Sequence, residues 1–167
     1  MLTIRLAQLD DLPALTTLYN YYVENSHATF DLLPVTVNER RLWYDHFTDR
    51  GPYWLVVAED DSGRVIGYAN SSPFNPRAAY YTSVTTSIYI HHEAVGRGIG
   101  AALYTDLFAR LNANGLHRAY AGIALPNAAS IGLHRKFGFH EVGTYHEAGR
   151  KFDKFWSVTW FEKRLSE

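Results

Sequence analysis

The densest chemical signal in this 167-residue chain is the run His92-Glu93-Ala94-Val95-Gly96-Arg97-Gly98-Ile99-Gly100-Ala101. A β-branched segment leads into it, and apolar residues spaced by four lead out, so a strand enters and a helix leaves. The first N–H groups of a helix have no partner within it, and the helix dipole favours an anion there. Glycines let such an anion approach the main chain. Gly96, Arg97, Gly98, Ile99, Gly100 and Ala101 therefore form a candidate phosphate loop, the ligand-free alternative being a tight strand-to-helix connection. Gly96-x-Gly98-x-x-Ala101 also matches a dinucleotide fingerprint, but that motif expects an acid about 20 residues on for the ribose. No acidic residue stands between Asp106 and Glu141. With no cysteine in the chain, thiol nucleophiles, disulfides and thiolate metal sites are excluded. No His, Asp and Glu share a metal-ligand spacing, so no metal is expected.

The elements that position this loop follow from periodicity. Leu2 to Ala7 alternates as a strand. Asp10-Asp11 and Pro13 open a helix carrying Leu12, Leu15, Leu18, Tyr19 and Tyr22, with its end near His27. A second helix runs from Thr36 or Asn38 to about Asp49, stopped by Gly51-Pro52. Tyr53–Glu59 and Arg64–Ser71 are strands around an Asp60-Asp61-Ser62-Gly63 turn, and Thr82–His91 is a third. Ile99–Asn114 is helical, His117–Ala124 a strand and Asn127–Phe137 a short helix. Strands at Phe139–Tyr145 and Phe155–Lys163 complete the order β-α-α-β-β-β-α-β-α-β-β. This is an α/β layer fold with a mixed, partly antiparallel sheet.

The length suggests one domain spanning residues 1–167. Lys plus Arg number 16 and Asp plus Glu 17, a formal charge of −1. That balance argues against a nucleic-acid partner that works by counterion release, and against a polybasic membrane anchor. No apolar stretch reaches the roughly 18 residues of a membrane span, and the first residues do not read as a signal peptide. A cytoplasmic protein is the expectation.

The glycine run resembles the pyrophosphate loop of the GNAT superfamily of N-acetyltransferases, Gln/Arg-x-x-Gly-x-Gly/Ala, with Gly98 and Gly100 matching and Val95 departing at the first position. Asn127-Ala128-Ala129-Ser130-Ile131-Gly132-Leu133-His134-Arg135-Lys136-Phe137-Gly138-Phe139 is similar to the family's Asn-x-x-Ser/Ala-x-x-Leu-x-x-x-x-Gly-Phe segment. His134, where many relatives carry Tyr, resembles the branch of phosphinothricin, methionine sulfone and methionine sulfoximine acetyltransferases. Matches at Thr29-Phe30, Trp43, Gly67-Tyr68-Ala69, Arg77-x-Ala79-Tyr80, Ser87-Ile88-Tyr89-Ile90 and Gly149-x-Lys151-Phe152 extend the resemblance over nearly the whole chain. Two positions depart from it. The branch carries Val-Glu where this chain has Val84-Thr85, and Trp-x-Asp near Phe155-Trp156-Ser157.

The resemblance implies a GNAT-like sheet flanked by helices on both faces. It implies acetyl-CoA as co-substrate and acetyl transfer to the amine of a small amino-acid-like molecule. The cofactor would lie along Ile88, Tyr89 and Ile90, with a backbone N–H, Ile90 included, on the thioester oxygen. The glycine loop, Asn127, Ser130 and His134 would complete its site. His134 is a candidate proton donor to the leaving sulfur, its pKa near 6.5 suiting that task; the alternative is a hydrogen-bonded core histidine. His91 and His92 are phosphate-side surface residues or a proton relay. On the acceptor side, Arg77 would hold a carboxylate, Tyr80 would supply a phenol and Phe30 and Phe74 an apolar wall, beside Thr85. Core packing competes for both Phe residues, and a solvated loop charge for Arg77. The aromatics around Phe152, Phe155, Trp156 and Trp160, in a branch that is commonly dimeric, predict a homodimer using the C-terminal strands. Rival readings are an acetyltransferase for a protein N-terminus or a polyamine. A further rival, motivated by Thr85 and Ser157, is a catalytically weak acyl-CoA-binding protein.

Overall fold

The computed structural model describes residues 2–165; Met1, Ser166 and Glu167 of the expected 1–167 domain lie outside the described residues. The elements are β1 (Thr3–Leu6), α1 (Leu12–Asn25), α2 (Val37–Tyr44), β2 (Leu55–Glu59), β3 (Val65–Pro73), β4 (Ser83–Ile90), α3 (Ile99–Ala113), β5 (Arg118–Ala124), α4 (Ala128–Lys136), β6 (His140–Lys151) and β7 (Lys154–Arg164). Their order is the one that periodicity predicts. One seven-stranded sheet runs β1-β2-β3-β4-β5-β7-β6. Only β4 and β5 pair in parallel; the other neighbours are antiparallel.

Strand alternation sorts the sheet into two buried faces. On one, Leu103, Leu107 and Leu111 of α3 pack on Val56, Ala58, Ile66 and Ala69. On the other, Leu15 and Leu18 of α1 cover Leu55, Val57, Val65 and Tyr68. β3 is buried from Val65 to Ser71 because it has a strand on each side and helices on both faces. The expected mixed sheet with helices on both faces is the architecture found.

Element ends differ from the periodic reading where local hydrogen bonds intervene. Asp11 precedes α1, but its carboxylate accepts from both Nη atoms of Arg5 and from the Gln8 N–H, so it ties β1 to the helix start and caps nothing in α1. α1 stops at Asn25, short of His27, because Ser26 is extended and its hydroxyl accepts from the Ala28 N–H. α2 ends at Tyr44 and not near Asp49. Its start is a reciprocal box in which Thr36 Oγ1 accepts from the Glu39 N–H and Glu39 accepts from the Thr36 N–H. Past Asp45 the chain tightens into turns, with the Phe47 N–H on the Tyr44 carbonyl, and Phe47 still packs edge-on to Trp43. β7 matches its expected span to within one residue at each end, but β6 runs on from Tyr145 to Lys151. β6 carries irregular register between Glu141 and Gly143 and between Tyr145 and Gly149, and the extra residues break the alternation that would have marked it.

The parallel pair is short. β4 and β5 are in register only over Ser83–Thr85 with Arg118–Tyr120. Beyond that point β4 stays paired with β3 as far as Ile90, and β5 with β7 as far as Ala124. The two strands therefore part after Thr85 and Tyr120, and the β5-facing edge of β4 lines open space.

Candidate active site

Two cavities share the gap between β4 and β5. One, of about 70 Å³, is lined by Thr86–Tyr89, Ala121–Ala124, Tyr104, Asn127, Ser130 and His134. The other, of about 420 Å³, is lined by Phe30, Thr85–Ser87, Gly122, Tyr145, Val158 and Trp160, among others. Ser87, Gly122 and Ala124 border both, so the cavities adjoin across the strands. Ile88, Tyr89, Asn127, Ser130 and His134 meet on the first; Phe30 and Thr85 meet on the second. Burial pushes the Tyr89 phenol up to about 12, the Thr29 side chain partly offsetting it.

The glycine turn lies at the far end of β4. Gly96 and Gly98 have φ of +81° and +79°, and Gly98 is the N-cap of α3. A left-handed backbone is costly for residues with a Cβ, and around both glycines the space a Cβ would fill is open. The first N–H groups of α3 are thus presented at an uncrowded surface. Gly100 has a different task. A Cβ there would sit 3.1 Å from Leu133 Cδ2, so the glycine brings α3 close to α4. Arg97 is exposed and lines a separate cleft with Asp60, Asp61 and Ile99; Ala101 is half-buried on the first turn of α3.

His134 is 3% exposed, and both ring nitrogens have protein partners. Nδ1 lies 2.8 Å from the Ser130 carbonyl, which only accepts, so Nδ1 carries the proton. Nε2, 2.8 Å from Tyr104 Oη, then accepts from the phenol. Burial pushes the imidazole below its ordinary value, and the Ser130 carbonyl offsets this in part. The ring is neutral at pH 7 with no spare N–H, which is the core-histidine arrangement. Tyr104, missed by the periodic reading because it sits in the apolar stripe of α3, lines the cavity beside it. A tyrosine next to Leu103 in such a stripe is a signal only if its hydroxyl is asked for a partner.

Ile90 ends the open edge of β4 and lines neither of the two cavities. Its side chain packs against the core, and its carbonyl accepts from Tyr22 Oη. His91 and His92 stack on each other at the end of β4, and His92 stacks on Tyr21; neither borders the two cavities.

The acceptor-side expectations separate. Phe30 both lines the larger cavity and packs on Gly149, where a Cβ would collide with its ring. The connector carrying it is tied down by Lys151, buried at 3% exposure, whose Nζ donates to the Thr29 carbonyl at 2.8 Å. Phe74 stands behind the cavity wall, stacked on Tyr120 and edge-on to Trp160. Tyr80 is exposed against Phe74. Arg77 is exposed on the same loop and borders none of the cavities described here. Trp160 and Tyr145, which sequence reading did not place at the site, complete the wall. Among the described residues, no group of three or more His, Asp or Glu side chains is arranged to hold a metal, and no helix is long and apolar enough to cross a membrane.

Comparison with known proteins matches residues 15–139 to the family model described as Acetyltransferase (GNAT) family. A phosphinothricin N-acetyltransferase of Streptomyces coelicolor is 53% identical over 157 residues, 93% of this chain and 92% of that protein. An L-methionine sulfoximine/L-methionine sulfone acetyltransferase of Pseudomonas aeruginosa is 36% identical over 163 residues, 98% of this chain and 94% of its own length. Among solved structures, a GNAT superfamily phosphinothricin acetyltransferase from Sinorhizobium meliloti, in complex with AcCoA, superposes with a TM-score of 0.95 at 37% identity, covering 99% of this chain and 89% of that one.

Removing one partner of the buried pair tests its geometry. Tyr104→Phe leaves Nε2 of His134 without a donor and should lower unfolding free energy in urea by about 1–3 kcal/mol. The sign of the pH effect follows from the lowered imidazole. Folding favours the neutral ring, so its contribution is complete above the unfolded value near 6.5 and is lost as pH falls through the lower folded value. Denaturation at pH 7 and pH 5 should show His134→Gln losing less stability on acidification than the wild type.

Proposed function

The chain belongs to the GNAT acetyltransferase family, and from that premise we propose that it moves an acetyl group from acetyl-CoA to the amine of a small amino acid of the phosphinothricin and methionine sulfone type. The observation that carries this reading is the parting of β4 and β5, with one cavity on each side of Ser87. The acetyl-CoA residues are those at the first cavity and the glycine turn: Ile88, Tyr89, Asn127, Ser130, and the loop from Gly96 to Ala101. The acceptor residues are Phe30 and Thr85, joined by Trp160. One acetyltransferase domain spans residues 1–167, and the protein works in the cytoplasm.

Chemistry at the gap needs a neutral amine, a stabilised oxyanion and a home for the thiolate. An N–H on the open edge of β4 serves the oxyanion; such a preorganised donor is worth about 3 kcal/mol. Holding amine and thioester on adjoining cavities supplies several kcal/mol more, of the order attributed to proximity. The C–N bond forms, the C–S bond breaks, the amine gives one proton to water and the departing sulfur takes one. The sulfur's proton comes from water; His134, with Nδ1–H on the Ser130 carbonyl and Nε2 accepting from Tyr104, fixes the Tyr104 ring in the wall of the first cavity. Thr85 offers no carboxylate at the acceptor cavity, so water receives the amine proton.

A second copy packs on the β6–β7 hairpin, where Val142, Tyr145, Phe152 and Phe155 are exposed. Trp156 and Trp160 belong elsewhere, Trp156 stacked on His27 and Trp160 in the cavity wall. Light scattering at micromolar concentration should give twice the chain mass.

Thiol release measured against a panel of amino acids tests the main reading; turnover limited to slow acetyl-CoA hydrolysis would remove it. Gly98→Val, which forces a branched side chain onto a left-handed backbone, should abolish acetyl-CoA binding by calorimetry while the circular dichroism stays native. The wild-type rate should climb with pH toward the acceptor's own amine pKa. Thr85→Glu should raise kcat/KM near pH 7 by up to about 10²-fold. A profile already level at pH 7, with no gain from Thr85→Glu, would assign the base to another residue.

A further inference from the structure

A third cavity lies on the α1–α2 face, of about 360 Å³, bordered by Tyr19, Asp31, Arg40, Asn70, Ser72 and Ser87, among others. Its buried wall is Arg40, 7% exposed. The guanidinium carbon sits 3.5 Å from the Trp43 ring centre and 4.3 Å from that of Tyr19. Nη2 donates to Tyr68 Oη at 2.6 Å. Nε is buried with no hydrogen-bond partner, the one side-chain atom in that condition among the described residues.

An arginine keeps its charge even when buried. Taking that charge out of water is costly unless an opposite charge answers it. Aromatic faces return part of that cost, and neither acid bordering the cavity, Asp31 or Glu39, forms an ion pair with it. Glu39 accepts from Thr36 in the α2 cap, and Asp31 accepts from Tyr19 Oη. Arg40 forms no ion pair among the described residues. The guanidinium thus lacks an anion, and the cavity beside it ends at Ser87, the residue that also borders both cavities of the β4–β5 gap.

We infer that this cavity holds the carboxylate of the acceptor on Arg40, placing the acceptor's amine toward Ser87. The inference rests on the acetyltransferase reading above and adds its specificity. It also moves the carboxylate clamp from Arg77, exposed on its loop, to the buried cation Arg40. Asp31, at the mouth of the same cavity, gives an amino acid's ammonium group a partner on entry.

L-methionine sulfone and its carboxamide separate the possibilities. The wild type should prefer the acid by about tenfold or more in kcat/KM, the scale of a charge-assisted hydrogen bond. Arg40→Met should bring the two within about threefold, acetyl-CoA affinity by calorimetry serving as the control for folding. If Arg40→Met fails to fold, Arg40→Lys carries the test, because it keeps the charge, loses the planar fork and should show a reduced preference. Equal use of acid and carboxamide by the wild type overturns the inference and leaves the acetyltransferase reading standing. So does a preference that survives at position 40 and disappears in Arg77→Met. If no amino acid is acetylated, calorimetry with L-methionine sulfone decides. Binding weakened by the Arg40 variant sustains this site while the functional reading falls; no binding removes both.

Discussion

The structure turns on the point where β4 and β5 stop pairing. A parallel pair inside a sheet is ordinarily closed along its length, because an unpaired backbone edge is costly away from water. Here it closes for three residues on each strand and then opens. Everything needed at the site is arranged around that opening. β3 and β7 hold the outer edges of the two strands, so the sheet does not come apart. α4 begins just past the end of β5 and supplies Asn127, Ser130 and His134 to one side of the gap. The connector between α1 and α2 supplies Phe30 to the other. Gly122 sits in β5 where any Cβ would press on the Trp160 ring, so a glycine is what lets Trp160 lie flat along the opening.

The polar groups around the gap are held by the protein itself before any ligand arrives. His134 is fixed by a backbone carbonyl on one nitrogen and a phenol on the other, which sets its tautomer and its ring plane together. Asn127 spends its amide oxygen on the Ser130 N–H, capping α4. Lys151 places a buried ammonium on the Thr29 carbonyl; burial pushes it below the ordinary lysine value while Asp31 works the other way. Such groups are positioning devices. They fix the walls in place, so that binding a ligand need not also order the chain.

Much of this was legible in the residues. Apolar spacing gave α1 and α3, the β-branched run gave β4, and the glycine run gave the strand-to-helix turn, where Gly96 and Gly98 prove to have positive φ. Family motifs led to Asn127, Ser130 and His134, while the parting of β4 and β5 came only with the structure. What stayed hidden depends on contacts between distant parts of the chain. Nothing local to Arg40 says that it is buried, since its neighbours Glu39 and Arg41 are exposed and charged. Tyr104 reads as one more apolar residue until α4 places His134 against it. Arg77 reads as a clamp from its motif, yet the loop after β3 leaves it in solvent. β6 was legible only as far as Tyr145, because the break in pairing between Tyr145 and Gly149 erases the period of two on which a strand is recognised.

The strand order at the C-terminal edge has a consequence for how the molecule is built. β7 lies between β5 and β6, so β6 has no place in the sheet until the strand after it has been made. Phe30 leans on Gly149 of β6, and the Thr29 carbonyl waits for Lys151 at the end of that strand. A chain leaving the ribosome in order therefore has β4, α3, β5 and α4, which line the smaller cavity, available before β6 and β7 complete the larger one. The wall of the larger cavity closes only when Phe30, made early, meets Tyr145, Val158 and Trp160, made more than a hundred residues later.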